Sequence, residues 1–140
     1  MAPAPLFFIL HSAKSNNGKH SSQIKIEDVA FGGKGVGRAN GKAVFVPYTI
    51  EEETVTAKVV REKKQFAEGE LVTVQESSPH RVTAPCPYFG QCGGCSYQHI
   101  EYDHQLTLKS RQARDVLHRI GKIPEPPMTS IIASPLIYGY

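Results

Sequence analysis

Tryptophan is absent from the 140 residues, methionine occurs twice and cysteine three times. An odd, small number of cysteines excludes a disulfide-built scaffold. Long apolar runs are missing as well. The longest, Leu6 to Leu10, falls far short of the ~20 residues that a membrane-spanning helix requires. No Lys or Arg precedes that run, so it is not expected to act as a secretory signal. Excess charge of one sign is also lacking: 16 basic residues face 13 acidic ones, a net charge of +3. Apolar residues make up 40% and charged residues 21%, the composition of an ordinary folded chain.

The charges are clustered, not blended. Glu51, Glu52 and Glu53 sit together, as do Arg61, Lys63 and Lys64. A near-neutral segment can therefore carry a basic face, and a face is what phosphates meet. The competing reading is a solvated surface of mixed sign.

Along the chain, residues 1–22 are rich in Ser, Asn and Gly and are expected to form a disordered leader. Residues 23–79 read as four or five short strands. Ile24 and Ile26 alternate with Lys25 and Glu27. Val44 to Val46 follows Asn40-Gly41, a hairpin signal. Thr54 to Val60 alternates, and Leu71 to Val74 follows Glu68-Gly69-Glu70. Short strands separated by Gly-rich turns point to a small closed barrel, which protects its own edges. Ser77, Ser78 and Pro79 read as a linker. Residues 80–102 form a Cys-rich segment without periodicity. Residues 103–120 read as a helix with Asp103 as N-cap, a stripe of Leu106, Ala113, Leu117 and Ile120, and Gly121 as its stop. A strand is expected over 130–138. The helix stripe calls for a partner that the remaining residues hardly provide.

Phe31-Gly32-Gly33-Lys34-Gly35-Val36-Gly37-Arg38 is neither a dinucleotide fingerprint nor a P-loop, since no Gly-Lys-Ser/Thr follows and a strand, not a helix, comes next. It reads as a tight bend at a barrel corner. Phe31, Phe45, Tyr48 and Phe66 are interspersed with cations, a pairing that suits unpaired bases, whose rings stack while cations meet the backbone. Taken singly, Phe31 and Phe45 read sooner as barrel core, with the cations solvating the surface. The candidates for phosphate contacts are Lys34, Arg38, Lys42, Lys58, Arg61, Lys63 and Lys64, with Phe66 as a stacking residue at an expected loop.

Cys86, Cys92 and Cys95 follow a C-x5-C-x2-C spacing. Thiols this dense favour a metal or cluster over buried small apolar groups. An iron–sulfur cluster would take these three plus a distant fourth ligand. A zinc ion would take them plus a histidine, with His99, His80 and His104 nearby. The spacing leaves both open.

Ile26 to Arg38, then Lys42-Ala43-Val44-Phe45-Val46-Pro47 and Val55 to Val60, resemble a TRAM domain. Cys86-Pro87 through Cys92-Gly93-Gly94-Cys95-Ser96-Tyr97-Gln98-His99 is similar to the iron–sulfur segment of the TRAM-bearing RNA uracil-C5-methyltransferases, above all those acting on 23S rRNA. The resemblance implies a mainly β fold. An OB-like five-stranded TRAM barrel over 23–79 would bind RNA, followed by the Cys-rich segment over 80–102 and the start of a truncated α/β central domain over 103–140. It implies a 4Fe-4S cluster on Cys86, Cys92 and Cys95 with its fourth ligand outside this chain. It also implies S-adenosylmethionine bound in a catalytic domain that the 140 residues lack, so that the chain alone is expected to be inactive. No catalytic and no S-adenosylmethionine-binding residue is assigned here. The implied partner is RNA, expected to be rRNA, with no membrane; the implied state is a cytoplasmic monomer. The alternative is a standalone RNA-binding module with a structural zinc or cluster site and no catalysis.

Overall fold

A computed structural model describes residues 21–139. Five strands, β1 (Ser21–Val29), β2 (Lys34–Ala39), β3 (Lys42–Pro47), β4 (Thr54–Glu62) and β5 (Phe66–Glu76), precede one helix, α1 (Tyr102–Arg119). The strands close into a barrel in the order β1-β2-β3-β5-β4, with β3 and β5 parallel and the other pairs antiparallel. Closure leaves no free edge, which is how a small sheet avoids unpaired backbone. The mainly β architecture with a small OB-like barrel matches the sequence reading.

Alternation explains the core. Ile24 and Ile26, Val44 and Val46, Val55 and Ala57, and Ala67 point inward and are fully buried. Asn40 and Gly41 both have positive φ, as the two-residue turn between β2 and β3 demands. The glycines of β2 serve a different need. A Cβ at Gly35 would lie 1.9 Å from Thr49 Oγ1, and one at Gly37 would lie 2.4 Å from the Lys25 carbonyl oxygen. β1 and the β3–β4 connection press on β2 so closely that no side chain fits. Gly32 and Gly33, with φ of 95° and 92°, make the β1–β2 turn.

Several boundaries differ from expectation. The leader lies outside the described residues except for Ser21 and Ser22, which pair with Lys58 and Ala57 as part of β1. The segment at 77–79 is no free linker. Ser78 is buried, and its N–H donates to Glu53 Oε1 at 3.2 Å. Downstream, Val82 N–H donates to the His99 carbonyl and Glu101 N–H to that of His80. The Cys-rich stretch is therefore a loop pinched shut at its base.

Helix α1 begins one residue earlier than expected. Glu101 occupies the N-cap position without a side-chain cap bond, and Asp103 lies in the first turn. At the C-terminus, the left-handed residue is Lys122, not Gly121. Gly121 is required instead because a Cβ there would fall 2.6 Å from the Leu117 carbonyl oxygen. The expected apolar stripe is not the packed face. Leu117 is exposed and Ile120 is 77% exposed; the buried residues are Gln105, Leu108 and Gln112. Leu108 joins Val29, Ile50 and Ile100 in a second apolar cluster between helix and barrel, with Tyr97 against it. The strand expected over 130–138 is not formed. A lone segment cannot satisfy its backbone groups in a ladder, and the closed barrel offers no edge to join.

Candidate nucleic-acid interface and cysteine loop

The strand registers decide which cations share a face. Arg38 on β2 lies opposite Ala43 on β3, and Ala43 opposite Phe66 on β5. Lys42 Nζ donates to the Lys63 carbonyl at 3.4 Å and pairs with Glu62 at 2.5 Å. Lys63 and Lys64 occupy the β4–β5 turn, as expected for a loop, and Lys63 N–H donates to the Phe66 carbonyl. Arg38, Lys42, Lys63, Lys64 and Phe66 are thus gathered at one end of the barrel. Lys34, at the start of β2, and Arg61, next to last in β4, both pair with Glu68, at 3.3 and 3.9 Å. Lys58 stands apart, opposite Ser21 and Glu70.

Acidic neighbours screen much of this face. Arg38 pairs with Glu27, Lys42 with Glu62, and Lys34 and Arg61 with Glu68. The Lys42 ammonium, by its hydrogen bond and its charge, holds the Glu62 carboxyl below the usual range. Among the described residues, Lys58, Lys63 and Lys64 make no ion pair. Exposed pairs are weak and exchange partners readily, so a phosphate can compete for the paired cations.

Of the aromatics, Phe45 and Phe66 form an edge-to-face pair on the outside of the barrel, with ring centroids 5.7 Å apart. Phe45 is therefore half-buried surface and not core, because it alternates with Val44 and Val46. Phe31 is not core either: it is 79% exposed. Tyr48 packs edge-on to Phe89, which stacks on His99.

The three thiols lie on the loop pinched off by the pairing at its base. Cys92 and Cys95 are exposed and Cys86 is half-buried. Short turns shape the loop: Phe89 N–H donates to the Cys86 carbonyl, and Cys92 N–H to that of Tyr88. Gln98, itself buried, ties its two ends together. It accepts from Cys86 N–H at 3.1 Å and donates to Cys95 Sγ at 3.1 Å. Among the described residues, no three Cys, His, Asp or Glu side chains are arranged so as to hold a metal ion. As placed, the thiols do not form a finished site for a 4Fe-4S cluster or a zinc ion.

The histidines considered as a fourth ligand are placed elsewhere. His80 and His104 stack on each other with centroids 3.8 Å apart, held by Glu101 and Glu51. His99 is buried against Phe89 and Tyr48, and among the described residues neither ring nitrogen has a partner within hydrogen-bond geometry. Burial, reinforced by the Arg81 charge, pushes its pKa down to about 4 against the opposing pull of the Thr49 backbone and Glu53. A buried neutral ring fits this pocket.

Residues that the sequence reading passed over hold this end together. Glu53, fully buried, receives Arg81 Nε at 2.5 Å and Nη2 at 2.8 Å, and the N–H groups of Ile50 and Ser78. Gln112 Nε2 donates to the Val29 carbonyl at 2.9 Å and to that of Ala30 at 3.2 Å. Its Oε1 accepts from Tyr97 Oη at 3.2 Å. Only one signal was available beforehand: Gly-Gly after Phe31 marks a hairpin tip, where an aromatic has little to cover it.

A five-stranded closed barrel with an appended loop and helix defines an OB-type module. Residues 22–72, nearly the whole barrel, match the family described as the TRAM domain. The chain is also similar to proteins named uncharacterized RNA methyltransferases. One from Aquifex aeolicus is 46% identical over 118 residues, covering 84% of this chain and 28% of the relative. One from Halalkalibacterium halodurans is 48% identical over 101 residues, 72% of this chain and 22% of the relative. One from Gloeobacter violaceus is 39% identical over 118 residues, 84% of this chain and 26% of the relative. The chain spans about a quarter of the length of these relatives.

Proposed function

We propose that this chain is the RNA-binding region of an S-adenosylmethionine-dependent RNA uracil-C5-methyltransferase that acts on rRNA in the cytoplasm. The observation that carries the reading is the barrel end where Lys63 and Lys64, free of ion pairs among the described residues, stand beside Phe66 on its Phe45 support. The relatives' names supply the methyltransferase context. The chain's own contribution is to bind and position RNA as a monomer. Cations at the turn meet phosphates, and the half-buried aromatic pair offers a face to an unpaired base.

Cys86, Cys92 and Cys95 are the residues that would hold a 4Fe-4S cluster, whose part would be to order the Gly- and Pro-rich loop. Among the described residues the three thiols do not form a metal-holding group as placed, and no step of RNA recognition is routed through a cluster. Anaerobic reconstitution with iron and sulfide, followed by visible absorbance and metal analysis, separates cluster from zinc.

The reading is tested by fluorescence anisotropy of a short single-stranded RNA against the Lys63→Glu/Lys64→Glu variant across a salt series. Affinity should drop, and the slope of log K against log salt should flatten by about two phosphate contacts. Unchanged affinity and slope would show that this end of the barrel does not meet RNA.

A further inference from the structure

At the opposite end of the barrel, the turn between β1 and β2 displays an aromatic ring that nothing in the described residues covers. Phe31 is 79% exposed. The turn beneath it is held unusually firmly. Ala30 N–H donates to the Lys34 carbonyl and Gly33 N–H to that of Ala30. Helix α1 reaches over to grip the same backbone, through the two bonds from Gln112 to the Val29 and Ala30 carbonyls. Gly33 rests on the Cys-rich segment so closely that a Cβ would lie 3.0 Å from Ser96 Cβ and 3.1 Å from the Tyr97 ring. Tyr97 is fixed in turn by Gln112, and Lys109 Nζ stands 5.3 Å over its ring.

Backbone bonds within the turn, two side-chain bonds from α1 and close packing of Ser96 and Tyr97 thus immobilise a turn whose tip is an exposed phenylalanine with a cation close to its support. A rigid ring loses little freedom on binding, which is the condition for a good stacking platform. Lys109 makes no ion pair among the described residues. β2, six residues long, separates this turn from the Lys63–Lys64 end, about 20 Å at the rise of a strand. Lys34, the first residue of β2, and Arg61, next to last in β4, both reach Glu68 with their charged groups.

We infer that Phe31 and Lys109 form a second contact point for single-stranded RNA, with one unpaired base stacked on Phe31 and a phosphate beside Lys109. This inference rests on the RNA-binding reading and extends it: the substrate segment is unpaired and runs the length of the barrel, from the β4–β5 turn to the β1–β2 turn. A duplex, whose bases are already stacked, gains nothing from the ring.

The test compares Phe31→Ala, Phe31→Leu, Phe31→Tyr and Lys109→Gln with the unaltered chain. The probe is a fluorescein-labelled single-stranded RNA of mixed sequence, and its duplex serves as the comparison. Both positions are on the surface, and a thermal melt verifies that each of the four variants folds. Phe31→Ala and Phe31→Leu should weaken single-strand binding roughly 5- to 100-fold with an unchanged salt slope, while Phe31→Tyr stays within about twofold. Lys109→Gln should lower the salt slope by about one. Duplex binding should be unaffected by the Phe31 substitutions. If Phe31→Ala binds as well as the unaltered chain while Lys63→Glu/Lys64→Glu loses affinity, the second contact is overturned and the first stands. If Leu serves as well as Tyr, or if the duplex is weakened equally, stacking is overturned. If no substitution at either end changes binding, both readings fall.

Discussion

Replacing Arg81 with Ala should cost more than any change at the surface, because it strands Glu53. That carboxylate is fully buried and accepts four hydrogen bonds, two from Arg81 and two from backbone N–H groups. The substitution deletes the cation paired with it and also the bond from Arg81 Nη2 to the Tyr48 carbonyl at 2.8 Å. Removing one partner of a buried pair leaves an uncompensated charge and costs about 3–5 kcal/mol. The N–H groups of Ile50 and Ser78 continue to hold the carboxylate, so the lower end applies, about 3 kcal/mol. With a urea m-value of about 1.5 kcal/mol/M, the unfolding midpoint should fall by about 2 M. The double variant Glu53→Gln/Arg81→Met should recover part of the loss, since no charge is then left buried. The reasoning fails if Arg81→Ala costs less than about 1 kcal/mol, the value of a solvent-exposed pair.

Two further outcomes follow from close packing and from burial. Gly37→Ala places a methyl 2.4 Å from both Ile24 Cγ2 and the Lys25 carbonyl oxygen, so β1 must shift. The expected cost is about 1–3 kcal/mol, visible as a melting temperature lowered by roughly 10 °C, whereas Gly93→Ala, with open space around it, should be neutral. His99 has its pKa lowered from 6.5 to about 4 in the folded protein. The unfolded chain therefore binds the proton first as pH falls. Stability is complete above pH 6.5 and declines toward pH 4, by on the order of 3 kcal/mol. Urea melts across that window should show the decline, and His99→Phe, which keeps a ring among Phe89 and Tyr48, should remove it.

The barrel was legible because its signals are local. Alternation in β1, β3 and β4 and the Asn40-Gly41 turn each act within a few residues. The role of Gly35 and Gly37 was not legible in that way. Their flexibility suggested a bend, whereas the structure uses their lack of a side chain where Thr49 and β1 press in. The cationic end could be anticipated in part: Lys63 and Lys64 sit on the loop expected for them, while the acidic partners of Lys34, Arg38 and Lys42 come from other strands and depend on register. Phe31 was misread as core because an isolated aromatic carries no sign of which side of a turn it occupies.

The misplaced helix face has a more general cause. Hydrophobic periodicity finds the face a helix buries when burial is apolar, but α1 meets the barrel where the Val29 carbonyl, and the Ala30 carbonyl that already accepts from Gly33 N–H, face the helix and take a side-chain donor. An aliphatic residue at position 112 would take this donor from the buried Val29 carbonyl, at about 1–3 kcal/mol, and leave the Ala30 carbonyl with the Gly33 N–H alone. Glutamine supplies two donors to them and an acceptor to Tyr97 from one side chain. Gln105 does the same for the Ile100 carbonyl at 2.8 Å, leaving Leu108 as the single apolar anchor between them. Such a seam has one register, because sliding the helix by a turn would break every one of these bonds, while an apolar seam tolerates several. That single register is what carries the position of the helix into the position of the β1–β2 turn, and so fixes where Phe31 points.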